Sequence, residues 1–128
     1  SEHSIRALKN AIQIAKKFDG KIILIHVYTV SSFVITPAQV YNYVQAIQEL
    51  GNSILEEGQK LVKAEGVPVE TKLQEGQTIE KILETITKEK INLVVLGSRG
   101  LSKLKGIIMG SVSEGVTKHS PCPVLVVK

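Results

Sequence analysis

Three glycines and a serine carry the clearest chemical signal in this chain. They follow the spacing Gly97-x2-Gly100-x9-Gly110-Ser111. Gly97 follows the segment Ile91 to Leu96, apolar but for Asn92, so it is expected to end a buried strand, where a side chain would block close approach of a ligand. Gly100 permits positive φ, which lets consecutive amides point inward as an anion nest. Gly110 and Ser111 open a short helical pattern, and helix N-termini offer free N–H groups and a partial positive charge. Both walls of one pocket thus favour an anion, and phosphate fits both. Each residue alone has a plainer reading. Glycines serve turn geometry, and Ser111-Val-Ser-Glu114 fits a capping box, with the serine oxygen and the glutamate each satisfying an end amide. The joint arrangement is harder to explain that way.

Other phosphate motifs are absent. Gly110 and Gly115 have the spacing of a P-loop, but Val116 stands where its lysine belongs. There is no Gly-x-Gly-x-x-Gly. Neither a Walker-type phosphotransferase nor a dinucleotide dehydrogenase is supported. Strong catalysis is not expected. Phosphoryl transfer needs a carboxylate to position metal or water, yet eleven of the twelve acids are Glu and the one Asp, Asp19, precedes Gly20 in an expected turn. Slow ATP hydrolysis stays open as an alternative. His26 reads as a core histidine, His119 as a cation at a helix C-terminus, and His3 as exposed. Three scattered histidines make neither a metal cluster nor a triad. Cys122, between two prolines, reads as a small buried packing residue. Lys103 and Lys105 read as a solvated loop face, or as screening for phosphate charge. Arg99, between Gly97 and Gly100, has a stronger claim to the anion.

The elements that must hold this loop follow from periodicity. Ile5, Leu8, Ile12 and Ala15 mark a helix from about Glu2 to Phe18, stopped by Asp19-Gly20. Lys21 to Tyr28, with its continuous Ile-Ile-Leu-Ile core, reads as a strand buried on both faces. Pro37 suits a first helical turn, and a long helix to about Ala64 follows, with Gly51 and Gly58 as sites of close packing or a slight bend. Glu65-Gly66 ends it. Val67 to Leu73 reads as a strand near a sheet edge, Thr78 to Glu89 as a helix, and Ile91 to Leu96 as a second buried strand. A short helix from Ser111 reaches His119, and Val124 to Val127 is the last strand. The order α-β-α-β-α-β-α-β implies an α/β fold: an open parallel sheet with helices on both faces. No linker or repeat divides residues 1–128, so one domain is expected.

Composition narrows the function. Apolar residues are 43% and charged residues 22%, the balance of a soluble domain, and no apolar run could span a bilayer. No basic-then-apolar start resembles a signal peptide. A single cysteine rules out an intrachain disulfide and a multi-cysteine zinc site. A cytoplasmic location and no membrane partner are expected. A net charge of +4 suits nucleic acid or an anionic small ligand. Base-stacking platforms need strand aromatics, and only Tyr28 lies near a strand, which argues against nucleic acid.

The glycine spacing, with Val-Val-Leu-Gly-Ser-Arg-Gly-Leu-Ser, Gly-Ser-Val-Ser-Glu and the closing Pro-Cys-Pro-Val-Leu-Val-Val, resembles the ATP-binding signature of the universal stress protein family. The match covers essentially the whole chain. The resemblance implies a five-stranded parallel sheet, in that family's order 3-2-1-4-5, and a stress-response sensor or regulator that binds ATP or AMP. It implies that phosphates and ribose meet Gly97, Ser98, Arg99, Gly100, Gly110, Ser111, Val112 and Ser113. It also implies that the Val27 backbone holds the adenine edge, and that Ser111 and Ser113 reach phosphate or a bound Mg²⁺. A protein-interaction member without nucleotide is the alternative. Many members are homodimers, and the apolar edge strand Val124 to Val127 invites pairing with a second copy. One departure stands out. The chain opens on a helix, and Ser1 stands where the serine of the family's Asp-Gly-Ser would be. The family's first strand, in the middle of its sheet, is expected to be missing from this sequence, leaving a central gap or a place that a partner segment fills.

Overall fold

The computed structural model describes residues 2–30, 36–98 and 109–128. Its elements alternate as the periodicity predicts: α1 (Glu2–Phe18), β1 (Ile22–Tyr28), α2 (Pro37–Ala64), β2 (Val69–Glu75), α3 (Thr78–Lys88), β3 (Val94–Gly97), α4 (Ser111–His119) and β4 (Val124–Val127). Local chemistry sets the boundaries. Asp19 takes a left-handed φ of 53° after α1, and the Gly20 amide closes back on the Ala15 carbonyl at 2.8 Å. Thr36 caps α2 by accepting from the Gln39 amide at 3.2 Å, and Gln77 caps α3 by accepting from the Glu80 amide at 2.7 Å. Gly66, at φ 73°, ends the α2 turn in a conformation that L side chains avoid.

The strands form two sheets rather than one. β1 pairs with β2 in parallel, from Ile22 opposite Val69 to Tyr28 opposite Glu75. β3 pairs with β4 in parallel, from Val94 opposite Val124 to Gly97 opposite Val127. No strand pairing joins the two among the described residues. This corrects the expectation of two strands buried on both faces. In β1 only Ile22 is fully buried, and all of β3 is half-buried, because among the described residues each has one edge with no strand beside it. The class itself, α/β with parallel strands, stands.

Helices cover both faces. On one side α2 lies over β1 and β2. A Cβ built on Gly51 would sit 2.6 Å from Leu73 Cδ1 and 3.0 Å from His26 Cδ2, and one on Gly58 would sit 3.1 Å from Leu24 Cδ1. These glycines let the helix settle onto the strands. The main core cluster lies here too: Ile12 and Ala15 of α1, Ile22, Val62 and Val67, with Leu8, Leu24 and Val69 against them. Each such side chain removed from water contributes about 1.5–3 kcal/mol. By strand alternation Lys72 and Gln74 turn to the other face, where they line an open polar groove with Lys81, Glu84, Thr85 and Lys88 of α3. There α3 meets α4, and Gly115 stands where a Cβ would lie 2.5 Å from Ile79 Cδ1. α1 packs on β3 and β4 and touches α2 and β1, so it bridges the two sheets. Among the described residues no helix is long and apolar enough to cross a membrane.

Candidate functional site

The carboxyl end of β3 is tied directly to the start of α4. The Ser98 amide donates to the Val127 carbonyl at 2.7 Å, which continues the β3–β4 ladder by one residue. The Ser98 carbonyl accepts from the Gly110 amide at 2.6 Å. The Ser113 hydroxyl donates to the Gly97 carbonyl at 2.7 Å. Ser98 and Ser113 are 2% and 3% exposed, and no buried side-chain polar atom among the described residues lacks a partner. The last two of these hydrogen bonds fix where α4 begins relative to the strand.

On the α-carbon side of Gly97 lies α1. A Cβ there would stand 3.0 Å from both the carbonyl carbon and the Cβ of His3. The glycine is thus required by the first turn of α1, a neighbour that no local pattern reveals. His3 is half-buried by this contact rather than exposed.

The capping box is not formed. Gly110 is the N-cap of α4, at φ −77° and ψ 169°, and Ser111 is the first helical residue. That backbone suits any residue, so local geometry does not demand glycine. Having no side chain, Gly110 cannot cap. The amides of Ser111, Val112 and Ser113 in the first turn have no acceptor within the helix. Ser111 is exposed, and Val112 is half-buried. Ser113, in contrast, has its only hydroxyl proton committed to Gly97, so its side chain acts on the strand end and its amide is the donor left for a ligand.

The remaining expected residues are spread. Val27 is the next-to-last residue of β1, half-buried and opposite Gln74, at the carboxyl end of the other sheet. Arg99, Gly100, Lys103 and Lys105 lie outside the described residues. His26 packs under Gly51 but is half-buried rather than a core residue, and His119 ends α4 exposed. Cys122 is half-exposed rather than buried. Ser120 Oγ donates to its carbonyl at 2.8 Å and accepts from its amide at 3.2 Å, holding the Pro-Cys-Pro turn at the surface. No group of three or more His, Cys, Asp or Glu that could hold a metal gathers among the described residues. Away from this end, Lys72 Nζ lies 2.9 Å from Glu89 Oε1. That hydrogen bond raises the Lys72 pKa and lowers that of Glu89.

The arrangement can hold an anion at the first-turn amides of α4, which no side-chain cap occupies and which are locked beside a strand end, with the positive end of the helix dipole behind them. Universal stress protein MJ0531 of Methanocaldococcus jannaschii is 39% identical over 130 residues, covering all of this chain and 76% of that protein. A universal stress protein solved in complex with cAMP is 29% identical, with a TM-score of 0.75 over all of this chain and 90% of the other. A universal stress protein family protein from Arabidopsis thaliana, solved with AMP bound, is 26% identical, with a TM-score of 0.69 over 96% of this chain and 76% of the other. The model of the Universal stress protein family matches residues 1–128. The chain belongs to the universal stress protein family.

Proposed function

We propose that this protein is a cytoplasmic stress-response sensor or regulator that binds an adenine nucleotide, ATP or AMP, at the carboxyl end of β3. The observation that carries the reading is the uncapped start of α4 beside Gly97, held in place by the Gly110–Ser98 and Ser113–Gly97 hydrogen bonds. The amides of Ser111, Val112 and Ser113 take a phosphate, with Arg99 and Gly100 completing that side. Ser111, exposed in the first turn, is placed to share a Mg²⁺ that accompanies the phosphates. The adenine lies toward Val27, whose backbone reads its edge. The two structural relatives bound to cAMP and AMP support an adenine ligand.

The adenine side needs a wall between β1 and β3. A further strand there, as the family's order implies, would join the two sheets and place Val27 and Gly97 along one sheet edge. The outer edge of β4 carries Leu125, 36% exposed in a strand of otherwise half-buried valines, and it pairs with a second copy to form a homodimer.

Calorimetric titration with ATP and AMP tests the reading. Binding of either in the micromolar range, abolished in Gly110→Val with the circular dichroism spectrum retained, supports it. No heat with either nucleotide, and none recovered from denatured protein by mass spectrometry, would overturn it.

A further inference from the structure

One exposed cation in α1 reaches back into the first turn of its own helix. Helical side chains lean toward the N-terminus, and Arg6 leans far enough to bring Nη2 within 3.5 Å of His3 Nδ1, one turn earlier. The positive end of the helix dipole repels a cation there. Glu2 lies in that same turn, yet it makes no ion pair with Arg6. The ion pairs among the described residues all use lysines. A guanidinium has five N–H donors in a planar fork, and His3 accepts only one of them. His3 is also the residue that lies against Gly97. His3 therefore borders the α-carbon side of the strand end whose carbonyl is held by the first turn of α4, and Arg6 is one side chain further out.

We propose that Arg6 is a phosphate-binding residue of the nucleotide site, positioned by His3, and that it engages the terminal phosphates of a nucleoside triphosphate. This rests on the nucleotide reading above. The geometry offers two anion positions around Gly97: the α4 amides and the Arg6 fork. A nucleoside monophosphate has one phosphate and fills one of them. A triphosphate chain fills both, and the fork suits bidentate phosphate contact. Arg6 thus sets a preference for ATP over AMP.

Calorimetric titration of the full chain with ATP and with AMP, at fixed salt and Mg²⁺, provides the test. Arg6 is exposed, so its variants keep the fold, and circular dichroism checks this. In Arg6→Ala the ratio of ATP to AMP affinity falls about tenfold, as expected for loss of a charge-assisted bidentate contact. Arg6→Lys recovers part of that loss, because the charge remains and the fork does not. His3→Ala lowers the same ratio by a smaller factor. Equal losses for ATP and AMP in Arg6→Ala would overturn the terminal-phosphate assignment. A wild-type chain that binds ATP, with Arg6→Ala matching it, would overturn the role of Arg6 and leave the nucleotide reading intact. A wild-type chain that binds neither nucleotide removes that reading and this inference together.

Discussion

Two kinds of helix start occur in this molecule, and they divide it. Around the β1–β2 sheet, α2 and α3 begin at side chains that accept from their own first turns, Thr36 and Gln77. Beside the β3–β4 sheet, α4 begins at Gly110, which has no side chain and an ordinary extended backbone. The glycines divide less cleanly, because Gly97 and Gly115 of the second half also face protein atoms. Gly51 and Gly58 face protein atoms and let α2 descend onto the strands. Gly110 is not required by its own dihedrals. The first half uses its end groups and its glycines to close on itself. The second keeps helix amides available at a strand end. The two halves differ here in what their polar backbone groups are left to do, more than in apolar content.

The largest effect is expected from giving α4 the cap it lacks. Gly110→Asp places a carboxylate on the first-turn amides and negative charge where phosphate sits. ATP affinity should fall by about 100-fold or more, while stability rises by a few tenths of a kcal/mol. Titration calorimetry and a denaturant midpoint measure the two quantities on the same sample. Retained ATP affinity would erase the distinction between the two halves.

Next comes the packing glycine of the other half. Gly51→Val drives a side chain into Leu73 and His26, and about 2–3 kcal/mol of stability should be lost in urea titration. Smaller again is Thr36→Ala, which removes a working cap and costs about 1 kcal/mol. Its counterpart, Ser111→Ala, should leave stability within about 0.5 kcal/mol, because Ser111 caps nothing. If the Ser111 substitution proves the more costly of the two, the capping assignment is wrong.

The smallest effect belongs to the Lys72–Glu89 pair on the outer face. Glu89 has its pKa lowered from 4.5 by the hydrogen bond from Lys72, so the stability that it lends is present above that value and is lost as pH falls through the depressed one. The Lys72 pKa is raised from 10.5 by the same bond, so its share is complete below that value and lost as pH rises through the elevated one. Glu89→Gln should therefore lower the melting temperature slightly at neutral pH, and the difference from wild type should vanish in acid. A difference that persists at low pH would point to packing rather than charge.

Much of this was legible in the sequence, for reasons particular to each element. The spacing of Ile5, Leu8, Ile12 and Ala15 fixes α1 because one face must be buried, and Asp19-Gly20 ends it because a left-handed turn is needed there. Gly51 and Gly58 were readable as close-packing sites because glycine in a helix needs a reason. The start of α4 was not. Ser111 and Gly110 are adjacent residues of types that both occupy N-caps, and the choice is made by the bond from the Gly110 amide to Ser98, twelve residues earlier in sequence. The exposure of Cys122 depends on the turn that Ser120 holds, not on the composition around it. The division into two sheets was legible only through the family resemblance, which implied a central gap, and the His3–Gly97 contact had no signal at all. Apolar runs announce that strands exist, but which strands pair, and what lies over their ends, depends on residues far apart in the chain.

The edges of β1 and β3 that no strand covers among the described residues bear on how this chain behaves in a concentrated solution. Each presents a row of backbone donors and acceptors along an apolar strand, with no proline or bulge to turn a neighbour away. Such an edge does not discriminate strongly among incoming strands. A strand that completes the sheet and a strand from another copy compete for the same hydrogen bonds. Colloidal stability of the 128 residues therefore reports on sheet completion. With the slot filled, the most aggregation-prone segments, Ile22–Ile25 and Val94–Leu96, become the most protected ones.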